Sequence, residues 1–182
     1  MIARLLAIFS ALIVAAPAQA DNAPQTADLD FLIGDWNVTR VNRPGQEGER
    51  TFTGSLTCEP ALEGQYIRCV YYFERDDRGP IHDEVFFNYN SIYGTYESLW
   101  VSATWPIKNT MRAEPGQSPD AMTWTSEFLI ENGVREYVRS FWNVSDAAGF
   151  SRRTDIRTSE YADGEWLHWM NEIVEPASST DP

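Results

Sequence analysis

Thr51-Phe52-Thr53-Gly54-Ser55-Leu56-Thr57-Cys58 and, after a short break, Tyr66-Ile67-Arg68-Cys69-Val70-Tyr71-Tyr72-Phe73-Glu74 decide the fold. In the first segment every second residue is Thr or Ser, and Phe52, Gly54, Leu56 and Cys58 fall between them. A period of two is the mark of a strand with one face buried and one in water. In the second segment Ile67, Cys69, Tyr71 and Phe73 share the apolar phase. Antiparallel pairing of the two as a hairpin therefore brings both cysteines to the core side, where they can bridge. An even cysteine count in an exported chain points to the same disulfide, Cys58 with Cys69.

The pattern repeats outward from this hairpin. Trp36 to Asn42 precedes it, and His82 to Tyr89, Thr95 to Thr104, Met122 to Ile130, Val134 to Val144, Phe150 to Thr158 and Trp166 to Val174 follow, with Ile107 to Ala113 a weaker strand. Between them stand turn-forming groups: Arg43-Pro44-Gly45, Asp77-Arg78-Gly79-Pro80, Glu131-Asn132-Gly133, Asp146-Ala147-Ala148-Gly149 and Asp163-Gly164. Only Glu114 to Pro119 reads as a longer loop. One helical turn, Asp28 to Ile33 with Asp28 as its cap, opens the domain. About nine or ten short strands without a crossover helix select an antiparallel sandwich or barrel. Hairpin-short connections favour an all-β, up-and-down antiparallel β-barrel, because a Greek-key sandwich needs long returns between its sheets.

The N-terminus reads as a signal peptide. Arg4, the uncharged run Leu5 to Ala16 and the small residues Ala18 and Ala20 place cleavage after Ala20, and the run is shorter than the roughly 20 residues that span a bilayer. The organisation expected is a leader over 1–20, a polar tail over 21–27, one barrel domain over 28–175 and a disordered tail over 176–182. The location expected is periplasmic or secreted, with no membrane insertion after cleavage. The formal charge of −13, with Lys108 the single lysine, repels phosphate backbones and excludes nucleic acid as a partner.

At the first strand the sequence runs Leu29-Asp30-Phe31-Leu32-Ile33-Gly34-Asp35-Trp36-Asn37-Val38. This resembles the entry motif of the calycin superfamily, the lipocalins, fatty-acid-binding proteins and nitrobindins, with Gly34 and Trp36 at the Gly-x-Trp positions. The same motif, the Asp163-Gly164-Glu165-Trp166 turn and the aromatic middle strands look like exported bacterial lipocalin-like domains. The resemblance implies a glycine that lets the chain turn into the strand and a tryptophan that plugs the barrel floor. Many lipocalins lay a basic residue from the last strand over that ring. Here Trp166 to Pro176 has no Arg or Lys, and Arg153 or Arg157 is the available substitute. Nitrobindins hold haem through a histidine on a late strand. His168 is the candidate axial ligand by that analogy, but Val38 and Arg40 replace the glycines that continue the nitrobindin motif.

Seven Trp, eight Tyr and nine Phe are the stronger functional signal. Phe52, Tyr71, Phe73, Phe87, Tyr89, Trp100, Trp124 and Trp142 sit at spacings that line a barrel interior, with Arg68, Arg139 and Arg153 near its mouth. Such walls suit a small hydrophobic or aromatic molecule. The ligand-binding set expected is Trp36, Tyr71, Phe87, Tyr89, Trp100, Trp124, Trp142 and His168, with no metal site and no resident cofactor. A lumen packed solid by the same rings is the competing expectation, leaving a protein that acts through its surface. Catalysis has less support. No serine lies in a Gly-x-Ser-x-Gly elbow, and His82 and Asp83, as adjacent strand residues, point to opposite faces and cannot share an ion, although His82 and Glu84 can.

Overall fold

The computed structural model describes residues 25–177 apart from 76–78, 107, 115–116, 130–133, 146–148 and 159–164. The expected leader, its cleavage site and most of the C-terminal tail lie outside these residues. A 3₁₀ turn, Thr26–Leu32, leads into ten strands: β1 Gly34–Asn42, β2 Arg50–Ala61, β3 Tyr66–Phe73, β4 Ile81–Asn90, β5 Thr95–Ser102, β6 Asn109–Ala113, β7 Thr123–Leu129, β8 Arg135–Ser145, β9 Gly149–Thr158 and β10 Leu167–Pro176. Each strand pairs antiparallel with its neighbours in sequence, and β1 pairs with β10 from Trp36↔Pro176 to Asn42↔Met170, closing the ring. Closure gives every described strand a neighbour on both sides, with β6 and β7 joined by the shortest ladder, Arg112↔Thr125 and Ala113↔Trp124. The architecture is consistent with the calycin-like barrel that the entry motif resembles.

The alternation seen in the sequence is the alternation of burial. On β3 Ile67, Cys69, Tyr71 and Phe73 are buried, and Arg68, Val70 and Tyr72 between them are more exposed. Cys58 and Cys69 are direct partners in the β2–β3 register and form the disulfide at a Cα separation of 4.1 Å. Reducing it, or replacing both cysteines with serine, is expected to cost about 2–3 kcal/mol, because the bridge restricts the unfolded chain. A urea titration with and without reductant reads this as a lower midpoint with the barrel still formed. An unchanged midpoint would mean that the β2–β3 ladder alone fixes the hairpin.

Three local readings are corrected. The helical turn begins at Thr26, and Asp28 lies inside it, where one carboxylate oxygen accepts from the Gln25 N–H at 2.8 Å and from the Tyr96 hydroxyl at 2.8 Å. The weak sixth segment is a strand over Asn109–Ala113, with Ile107 outside the described residues. The last strand is interrupted, since the β9–β10 register shifts between His168 and Met170 and inserts Trp169 as an extra residue. That bulge resets which side chains of β10 face the lumen.

The 3₁₀ turn closes one end of the barrel. Leu29 and Leu32 are fully buried beneath it. The Trp36 indole N–H donates to the Leu32 carbonyl at 2.8 Å, tying the first strand to the turn. Gly34 makes this bend at φ 141°, a backbone region that side chains other than glycine disfavour. The partner over Trp36 is aromatic, not basic: Phe150 meets its ring edge-on at 6.0 Å. Arg157 lies instead over Tyr137 and Trp166.

Candidate ligand cavity

The inward phases of β1, β9 and β10 run from Val38, Phe150 and Val174 near the closed end to Arg40, Arg152 and Glu172 farther along. Phe150 stacks on Trp142 at 5.2 Å, and Phe87, Trp124 and Trp142 contact one another at 5.6 to 5.8 Å, making an aromatic floor. Above it the lumen is not filled. A cavity of about 510 Å³ opens toward the end where β1, β5 and β9 finish and β4, β6 and β10 begin. Its volume falls within the range of about 300–1,000 Å³ usual for small-molecule sites.

Five of the eight aromatic and histidine positions expected to bind a ligand line it: Tyr71, Phe87, Trp100, Trp124 and Trp142. Trp36 and Tyr89 belong to the closed end instead, Trp36 against Phe150 and Tyr89 against Tyr96. His168 is not a lining residue. Its register partner is Asp155, and its Nε2 lies 2.7 Å from the Asn171 Oδ1. The cavity wall contains no histidine, so haem held in the nitrobindin manner does not fit it.

The arginines expected near the mouth lie on the outer phase. Arg68 pairs with Glu84 at 2.9 Å and Glu59 at 3.2 Å, and Arg139 and Arg153 both bond Asp155. His82 and Glu84 are also outside, 3.8 Å apart, and no cluster of three metal-ligating side chains occurs among the described residues.

The sequence reading missed a charged group inside the barrel. Arg40, Glu172 and Arg152 form one row across β1, β10 and β9, because Arg40 pairs with Glu172 and Glu172 with Arg152 in register. The Arg40 Nε lies 2.7 Å from Glu172 Oε2, and the Arg152 Nη2 lies 2.8 Å from Glu172 Oε1. Tyr71 donates its hydroxyl to Oε1 at 3.2 Å. Across β3 and β4 its register partner is Asp83, whose Oδ2 is 3.8 Å from the Arg40 Nη1. Arg40 also stacks over the Phe73 ring at 4.2 Å. Burial alone would raise the Glu172 carboxyl, but the charges of Arg152 and Arg40 outweigh it and hold Glu172 below its ordinary value. Burial, followed by the Glu172 charge, pushes the Tyr71 hydroxyl well up, so it remains a donor. Farther round the wall, burial also pushes the Glu136 carboxyl up.

A family model described as protein of unknown function (DUF1579) matches residues 23–174. The chain belongs to this family. No curated protein matches it at a significant level. The span matched to DUF1579 takes in the entry turn, β1 through β9 and most of β10, so every residue lining the cavity falls within it.

Proposed function

We propose that this DUF1579 chain is an exported binding module that holds a small apolar or aromatic molecule in the barrel lumen. The observation that carries the reading is the open cavity of about 510 Å³ with Tyr71, Phe87, Trp100, Trp124 and Trp142 in its wall. Flat rings set edge-on to one another present both faces and edges to a guest, and an aromatic guest gains about 0.5–1.5 kcal/mol per ring pair beyond its area. Export is supported by the Cys58–Cys69 bridge, which persists in an oxidising compartment, and by the leader-like N-terminal sequence.

An apolar fluorophore such as pyrene tests the lumen directly, because bound pyrene takes up excitation energy from the tryptophans around it. Binding with saturable energy transfer is expected. Ser102, in the cavity wall near the open end, gives the control: Ser102→Trp fills the mouth and should abolish the transfer while thermal unfolding stays close to that of the parent. Transfer that survives in Ser102→Trp would place the fluorophore on the outer surface and end the lumen reading.

A further inference from the structure

The cavity is apolar in its floor but carries polar atoms without a hydrogen-bond partner among the described residues. They are Asn42 Oδ1, Asp83 Oδ1, Trp124 Nε1, Arg152 Nε and Thr158 Oγ1, and all five residues line this one cavity. Asp83, Trp124 and Thr158 are each more than nine-tenths buried. Buried polar groups are almost always bonded, and these five exceptions all belong to residues of one cavity wall. Two of the atoms can only donate, two can only accept, and the Thr158 hydroxyl does either.

The charges of the wall balance. Arg40, Arg43 and Arg152 face Asp83, Glu136 and Glu172. Glu172 already occupies both inner guanidinium groups, one through each carboxylate oxygen, and takes the Tyr71 hydroxyl as well. At the two inner guanidinium groups an incoming anion would have to displace this internal carboxylate and lie beside Asp83. A cation would meet Arg40 and Arg152. A plain hydrocarbon would dry the cavity and leave all five polar atoms unbonded, at a cost for each.

Resting on the lumen reading above, we infer that the ligand is an uncharged flat molecule bearing at least one hydrogen-bond donor and one acceptor, such as a neutral aromatic amide or phenol, and not an aromatic acid or a bare hydrocarbon. A carbonyl oxygen suits the Trp124 and Arg152 N–H groups, and an N–H or O–H suits Asp83 and Asn42. The internal carboxylate of Glu172 thereby acts as a specificity device, filling the place that an acidic guest would otherwise take.

A series on one ring system tests this: pyrene, pyrene-1-carboxamide and pyrene-1-carboxylate at neutral pH, titrated into the purified full chain and read by energy transfer from tryptophan. The amide should bind about tenfold or more tighter than either of the others. Thr158→Val, which removes one polar atom and keeps the volume, should weaken the amide selectively and leave pyrene nearly unchanged. Equal affinity for all three compounds would overturn the neutral-polar inference while leaving the lumen reading standing, and so would a preference for the carboxylate. Failure of all three to bind would overturn both.

Discussion

Glu172→Gln is expected to destabilise the barrel by about 3–5 kcal/mol, since it leaves Arg40 and Arg152 charged and buried around a neutral amide. The size follows from asymmetry: removing one partner of a buried ion group exposes the desolvation cost of the others. The pH dependence carries the same signature. Glu172 is held below its ordinary value in the fold, so its stabilisation is complete above the usual carboxylate range and drains away as pH falls through the depressed value. Urea midpoints between neutral and acidic pH should therefore fall more steeply for the parent than for Glu172→Gln. Replacing the whole group with apolar residues, Arg40→Met, Asp83→Leu, Arg152→Met and Glu172→Leu together, should recover most of the lost stability. If it does, the cluster is retained for what it does to the lumen and not for holding the barrel together.

Phe73→Ala should cost a similar amount, about 3–5 kcal/mol, by leaving a cavity where a fully buried ring stood. Phe73 does more than fill space. Tyr71 stacks beside it at 5.9 Å, and the Arg40 guanidinium lies over its face. Its loss thus loosens the arginine that pairs with Glu172, and the two substitutions are expected to be less than additive in a double-mutant cycle. Phe73→Leu, which restores most of the volume but not the π face, should recover the greater part of the stability. Strict additivity of Phe73→Ala with Glu172→Gln would separate the ring from the ion group and remove this coupling.

The strands, their order and the disulfide were legible because they depend on a simple period. Polar and apolar residues alternate on β2 and β3 with few exceptions, and turn chemistry marks most of the ends. Connection length favoured an up-and-down barrel, and its complete closure came only with the pairing of β1 and β10. The bulge in β10 was not, because Trp166 to Met170 offers two equally apolar phases until the pairing with β9 chooses between them. His168 stands in the expected site through the nitrobindin analogy, and that ambiguity left its face open until the register with β9 was known.

The inner charges escaped for a different reason. Arg68, Arg139 and Arg153 carry charge but belong to the polar phase of their strands. Arg40, Asp83, Arg152 and Glu172 carry the opposite signal. Arg40 follows Trp36 and Val38 at the same parity, Asp83 lies between Ile81 and Val85, Arg152 between Phe150 and Thr154, and Glu172 between Met170 and Val174. A charge standing in an apolar phase on four separate strands is visible in the sequence. Which of them meet is set only by register, which no single strand contains.

The bond between Arg40 and Glu172 joins residues 132 positions apart. All ten strands must therefore be made before Arg40 meets Glu172, and in any shorter nascent piece its Nε still has to be solvated by water. The last strand thus supplies a countercharge as well as a seam, so premature collapse of an incomplete chain is disfavoured until the tenth strand arrives.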